Sequence, residues 1–291
     1  MDNDYLKEQE LYFELKGSPE STKGSYNCLI NVYFKYLSEQ GVEVEQTTDR
    51  DIQQFVLFLK NIVKLQPGSI NNYISAIKFF NTYVLERTWN PLKVPRMQNI
   101  KKLPTIFSRE DIKLFIDNTE NLKHRAILSL LYGSGIRVGE GAKLKISDIC
   151  SSTMQVRVDD AKHGTNRYTI LAESSLLILR EYFRAYFKSG YDRNGWLFPS
   201  TDCSKHITRK TVAEVIKKRK AEMQIDKPFT SHTLRICFAT HLLEDGVELA
   251  YIQQLLGHRC IKTTANYYTY LTSKAIMGIR SPIDRDSDDK I

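Results

Sequence analysis

Along residues 25–36 (SYNCLINVYFKY) the apolar side chains fall at 29, 30, 33, 34 and 36. That spacing keeps them on one side of a 3.6-residue repeat and predicts a helix, with Ser21 or Thr22 as its cap. A second helix is expected after Thr48 (DRDIQQFVLFLKNIV), where acids in the first turn meet the positive end of the helix dipole. A third is expected after Ser69 (INNYISAIKFFNTYVLE), once the Pro67-Gly68 break is passed. Together they imply a small helical bundle, a build that suits a plain helical adaptor as well as a nucleic-acid binder.

The periodicity lapses over 88–106 (TWNPLKVPRMQNIKKLPTI), which holds three prolines and four basic residues and reads as an extended connection between two cores. The expected division is a helical domain at 1–95, a linker at 96–106 and a second domain at 107–291. In that second part Ser108 and Asp111 have capping-box spacing, and AILSLLYGSG is an apolar helix running into glycines. Helix dominates with one exception. In 154–171 (MQVRVDDAKHGTNRYTIL) two alternating runs flank an Asp/Lys/His/Gly turn, the pattern of a β-hairpin. The expected fold class is mainly α, with a small β-hairpin or sheet in the C-terminal domain. The last residues, 284–291 (DRDSDDKI), read as a polar extension.

Charge sharpens this picture. The 291 residues carry a net charge of +8, but 1–100 hold only 11 Lys and Arg against 12 Asp and Glu. The remaining 31 basic and 22 acidic side chains lie in 101–291, so the halves stand at −1 and +9. A basic C-terminal half suits an anionic partner such as nucleic acid, a membrane surface or an acidic protein. In the near-neutral half, Lys60 with Lys64, or Lys78 with Arg87, are candidate DNA contacts or simply a solvated helix face. Five scattered cysteines without a Cys-x-x-Cys pair read as free thiols. The acidic, polar start and the lack of any apolar run near ~20 residues predict a soluble, cytoplasmic protein.

The second half also carries candidate chemistry. Breaking a phosphodiester without a metal takes a nucleophile, cations on the non-bridging oxygens, and an acid for the leaving oxygen. Arg137 follows a glycine turn in GSGIRVGE, and Lys162 sits in the turn DDAKHG. His232 and Arg235 are three apart in SHTLRICF, on one face of a helix capped at Thr230 or Ser231. LLGHRCIKTTANYY then supplies His258 and, nine residues on, Tyr267, with Tyr268 as its neighbour and rival.

In order and spacing these elements resemble the tyrosine recombinases, the phage integrase family, strongly over 124–271 and more loosely before. They are Gly135-Ile136-Arg137 with Glu140, Lys162, His232 with Arg235, Leu256-Gly257-His258, and Thr263-Thr264 followed by Tyr267. Five ordered elements are specific where each alone is weak. The resemblance implies two domains closing around duplex DNA, and attack by the Tyr267 hydroxyl to give a 3′-phosphotyrosyl link and a free 5′-hydroxyl. It further implies charge stabilisation by Arg137 and Arg235, general acid catalysis by Lys162, proton acceptance or orientation by His232, and donation to phosphate by His258. Glu140 is expected to buttress the pocket. No cofactor and no metal ion is called for. Family members assemble as four protomers on two DNA sites using such a tail, and here the apolar segment 268–279 suits either docking on a neighbouring protomer or packing against its own domain. At this length no separate arm-binding domain is expected, and the expected role is that of an Xer-like or mobile-element recombinase. The alternatives are a type IB topoisomerase and a DNA-binding relative that has lost catalysis.

Overall fold

Four helices make up most of the first hundred residues: α1 (Asp2–Leu15), α2 (Glu20–Glu39), α3 (Asp49–Asn61) and α4 (Pro67–Tyr83). They belong to the first of two units, Met1–Lys102 and Leu103–Ile291, in a computed structural model that describes residues 2–98, 104–160, 165–187, 192–201 and 203–257. The helix expected at 25–36 starts earlier, with Pro19 rather than Ser21 or Thr22 at its cap position. Pro19 holds φ near −59° without strain and has no N–H to leave unsatisfied, so the chain enters the helix there. Pro67 likewise opens α4 instead of preceding it, because at the first helical position a missing N–H costs nothing. Helix α3 follows Thr48 as expected, with the Thr48 backbone N–H and hydroxyl both donating to Asp51 Oδ2 at 2.8 and 2.6 Å.

The stripes read from the sequence meet in one core of Ile30, Tyr33, Phe34 and Leu37 from α2, Ile52, Phe55 and Leu59 from α3, and Ile74, Ile77 and Phe80 from α4. Burying a side chain such as Phe55 contributes roughly 2–3 kcal/mol. Residues after α4 run back over this unit. Gln53 Nε2 donates to the Lys93 carbonyl at 2.7 Å, Asn71 exchanges two 2.9 Å hydrogen bonds with Met97, and Val94 is buried.

The second unit contains α5 (Arg109–Asp117), α6 (Leu122–Ser134), α7 (Val138–Ala142), β1 (Ile149–Cys150), β2 (Gln155–Asp160), β3 (Thr165–Ile170), α8 (Glu173–Tyr186), α9 (Arg209–Glu222), α10 (Ser231–Glu244) and α11 (Leu249–Leu256). Ser108 caps α5, its hydroxyl accepting from the Asp111 N–H at 3.0 Å. The hairpin forms with Gln155 opposite Ile170 and Asp160 opposite Thr165, and β1 adds a third antiparallel strand on the β2 side. Val156 and Val158 on β2 and their partners Thr169 and Arg167 on β3 lie on the same face of the sheet. Both valines are buried.

Helix α6 lies at the centre of this unit, with Ala126, Leu128, Leu130 and Leu131 fully buried. Buried His241 of α10 ties three segments together. Its Nε2 faces the Phe107 carbonyl at 3.0 Å and must donate, so Nδ1 accepts from the Tyr132 hydroxyl at 2.8 Å. Among the described residues no helix is long and apolar enough to cross a membrane.

Candidate active site

Helix α6 ends in Gly135, whose φ of 63° lies in the left-handed region. A Cβ at this position would stand 2.2 Å from the Phe238 ring of α10, so glycine is required both by backbone conformation and by the close approach of the two helices. Ile136 is buried next to it and anchors the turn. The chain then enters α7, with Arg137 at the N-cap position.

Glu140 fixes the Arg137 side chain. One carboxylate oxygen accepts the Arg137 backbone N–H at 2.8 Å, and the other accepts Arg137 Nη1 at 2.8 Å. Arg137 keeps 42% of its side-chain surface exposed while Glu140 keeps 11%, so a buried carboxylate holds an accessible guanidinium in place. Gly139 and Gly141 are sites of close packing. A Cβ on Gly139 would come within 2.4 Å of the Arg209 guanidinium, and one on Gly141 within 2.9 Å of Leu131.

Thr230 is the cap of α10, its Oγ1 accepting from the Thr233 N–H at 3.3 Å. From the first turn onward, His232 and Arg235 share a face, as their spacing requires. Arg235 is 2% exposed and spans two carbonyls, with Nη1 donating to Gly135 and Nη2 to Leu256, both at 2.6 Å. His232 is exposed to solvent on one side. Partial desolvation of its ring holds its pKa below the ordinary 6.5, and the positive charges of Arg235 and then Arg137 push the same way. The structure therefore brings Arg137, His232 and Arg235 together around the end of α6, and the imidazole there prefers to be neutral. Lys162, His258 and Tyr267 lie outside the described residues.

Arg167 on β3 is a member of this cluster that sequence reasoning missed. Its Nη2 and Nη1 reach both Glu140 oxygens at 2.8 and 3.2 Å. Burial raises the Glu140 pKa, but the hydrogen bonds and charge of Arg167, followed by those from Arg137, outweigh it and hold the carboxyl at about 2. The only sequence signal was strand alternation, which puts residue 167 on the inward face with Thr169.

Residues 105–274 match the Phage integrase family, and residues 6–91 match the phage integrase N-terminal SAM-like domain. A Sinorhizobium fredii protein named as an integrase/recombinase, y4eF, is 39% identical over 235 residues, covering 80% of this chain and 91% of its own. The tyrosine recombinase XerA of Pyrococcus horikoshii is 32% identical over 277 residues, covering 94% and 91%. A crystal structure of XerA recombinase superposes with a TM-score of 0.55 at 27% identity, covering 95% of this chain and 96% of that one. These matches extend over both units and over the turns that carry Arg137, His232 and Arg235, and the chain belongs to the phage integrase family as a tyrosine-type site-specific recombinase.

Proposed function

We propose that the protein cuts and rejoins duplex DNA with Tyr267 as nucleophile and Arg137, Lys162, His232, Arg235 and His258 as its catalytic partners. The observation that carries this reading is the convergence of two fixed arginines on a histidine held toward its neutral form. The Tyr267 oxygen attacks the scissile phosphorus and its proton passes to His232. The bond to the 5′-oxygen breaks, and that oxygen takes a proton from Lys162. Arg137 and Arg235 stabilise the charge on the non-bridging oxygens, with His258 as a further donor. The phosphotyrosine conserves the bond energy, so a second 5′-hydroxyl reseals the strand by the reverse reaction.

Residues 1–95 and 107–291 form the two DNA-binding halves in this reading, the second supplying most of the positive charge. Four protomers act on two sites through the segment 268–279, in the integration, excision or transposition of a mobile element. The mobile-element role is supported by the similarity to a named integrase/recombinase, and the tetramer by the family resemblance.

The test is covalent trapping. Duplexes recovered from a random pool by binding to the full-length protein are nicked at successive positions, and protein–DNA adducts are counted after denaturation with chelator present. A wild-type adduct lost in Tyr267→Phe and kept in Tyr268→Phe supports the proposal. Loss only in Tyr268→Phe moves the nucleophile by one residue. Binding without any adduct favours a catalytically silent DNA-binding protein, and relaxation of supercoils without a preferred site favours a topoisomerase.

A further inference from the structure

The two arginines of the site are joined by a second route that runs through β3 and the end of α11. Arg137 is held by Glu140, and both Glu140 oxygens are held by Arg167. Arg167 Nε continues the chain by donating to the Leu255 carbonyl at 3.1 Å, at the end of α11. The next carbonyl, Leu256, is the one that accepts Arg235 Nη2. Gly257 caps α11 with φ of 64°, and a Cβ there would lie 2.8 Å from Arg167 Cδ and Nε. The contacts form a closed ring from Arg137 through Glu140, Arg167, the end of α11 and Arg235 to Gly135, two residues before Arg137.

We infer that Arg167 is a positioning residue for strand cleavage: it fixes the direction of Arg137 through Glu140 and, with the same guanidinium, fixes the end of α11 from which the chain continues to His258. This rests on the cleavage reading proposed above. The geometry calls for arginine specifically, since three donors in one plane serve a carboxylate and a carbonyl at once, and the single ammonium of lysine cannot. With a side-chain exposure of 11%, Arg167 is set behind Arg137 and acts through it.

The experiment compares full-length wild type, Arg167→Gln, Glu140→Gln, the double variant and Arg167→Lys on one nicked duplex taken from the selected pool. Cleavage is measured at saturating protein, and affinity on the unnicked duplex. The expected result is a cleavage rate about 10²-fold lower in Arg167→Gln, with affinity within about threefold of wild type. Arg167→Lys does not rescue it, and the double variant is no slower than the slower single one, because both substitutions cut the same connection. Affinity falling as much as rate, losses that multiply, or an unchanged rate overturns the role. Should Arg167→Gln fail to fold, Gly257→Ala displaces the same guanidinium without removing a charged group, while also straining the backbone at its φ of 64°. It is expected to slow cleavage at unchanged affinity, and an unaltered rate overturns the role. A wild type that binds but never cleaves overturns the cleavage reading and this inference with it, whereas losses that multiply against a cleaving wild type overturn only the part assigned to Arg167.

Discussion

Arg235 donates a 2.6 Å hydrogen bond to the carbonyl of Gly135, one hundred residues before it in the chain. That carbonyl belongs to the turn that aims Arg137, and the other arm of the same guanidinium reaches the Leu256 carbonyl. Arg235 therefore has structural work besides any contact with phosphate. Replacing it with lysine leaves a single ammonium for two buried carbonyls, and an unsatisfied buried acceptor costs about 1–3 kcal/mol. Arg235→Lys is expected to lower unfolding free energy in urea by that amount and to slow single-turnover cleavage by about 10²-fold or more. A variant as stable as wild type would mean that the two carbonyls do not depend on the fork.

Gly135→Ala tests the same turn from the backbone side. Its φ of 63° is costly for any L side chain, and the added methyl meets Phe238 at 2.2 Å. Left-handed strain and overpacking together are expected to cost about 2–4 kcal/mol. Adding Phe238→Leu removes part of the clash but none of the strain, so the double variant should recover some of the loss. Urea midpoints of the four proteins check this, and no recovery would assign the whole cost to the backbone.

Which parts of this site were legible in the sequence follows from how local they are. Arg137 and the His232/Arg235 pair stood out because their settings are short-range: a glycine-terminated helix in one case and a single helical turn in the other. Arg167 did not, since its meaning depends on Glu140, 27 residues away, and Leu255, 88 residues away. The hairpin was legible from the alternation in MQVRV and RYTIL, whereas β1, with two residues, is too short to show a period. Helix α1 was hidden by its polar composition: it commits Phe13, stacked 4.5 Å from Phe79, to the interior while most of its other positions face solvent. Helix α4 starts at Pro67, ahead of the pattern that follows Ser69, because Pro67 at the first helical position begins a helix and does not interrupt one.

Acid should weaken the second unit through Glu140. Its carboxyl is held at about 2, against an ordinary value of 4.5. The folded state thus holds fewer protons than the unfolded chain between those values. The stabilisation, roughly 3 kcal/mol, is fully present above pH 4.5 and is lost as the pH falls toward 2. Glu140→Gln has no charge to lose. Its urea midpoint should start lower at pH 7 and fall less than that of wild type between pH 4.5 and 2.5. Parallel curves would show that Glu140 does not set the acid limb.

His232 gives a prediction in the neutral range. Partial desolvation, Arg235 and Arg137 all disfavour its protonated form, so its pKa lies below 6.5. The unfolded chain takes up this proton first, and protonation therefore favours unfolding. Stability tied to His232 is full above pH 6.5 and declines as the pH drops below it. If His232 accepts the Tyr267 proton, the cleavage rate keeps its plateau down through pH 6.5 and falls only at more acid pH. Arg137→Gln removes one of the two cations and should raise the His232 pKa, whereas Arg137→Lys keeps the charge and should leave it nearly unchanged. Proton NMR of the His232 ring in the full-length protein follows this titration directly. A wild-type value at or above 6.5, or no upward shift in Arg137→Gln, would show that the arginines do not hold the imidazole neutral and would remove His232 as the acceptor in the proposed cleavage step.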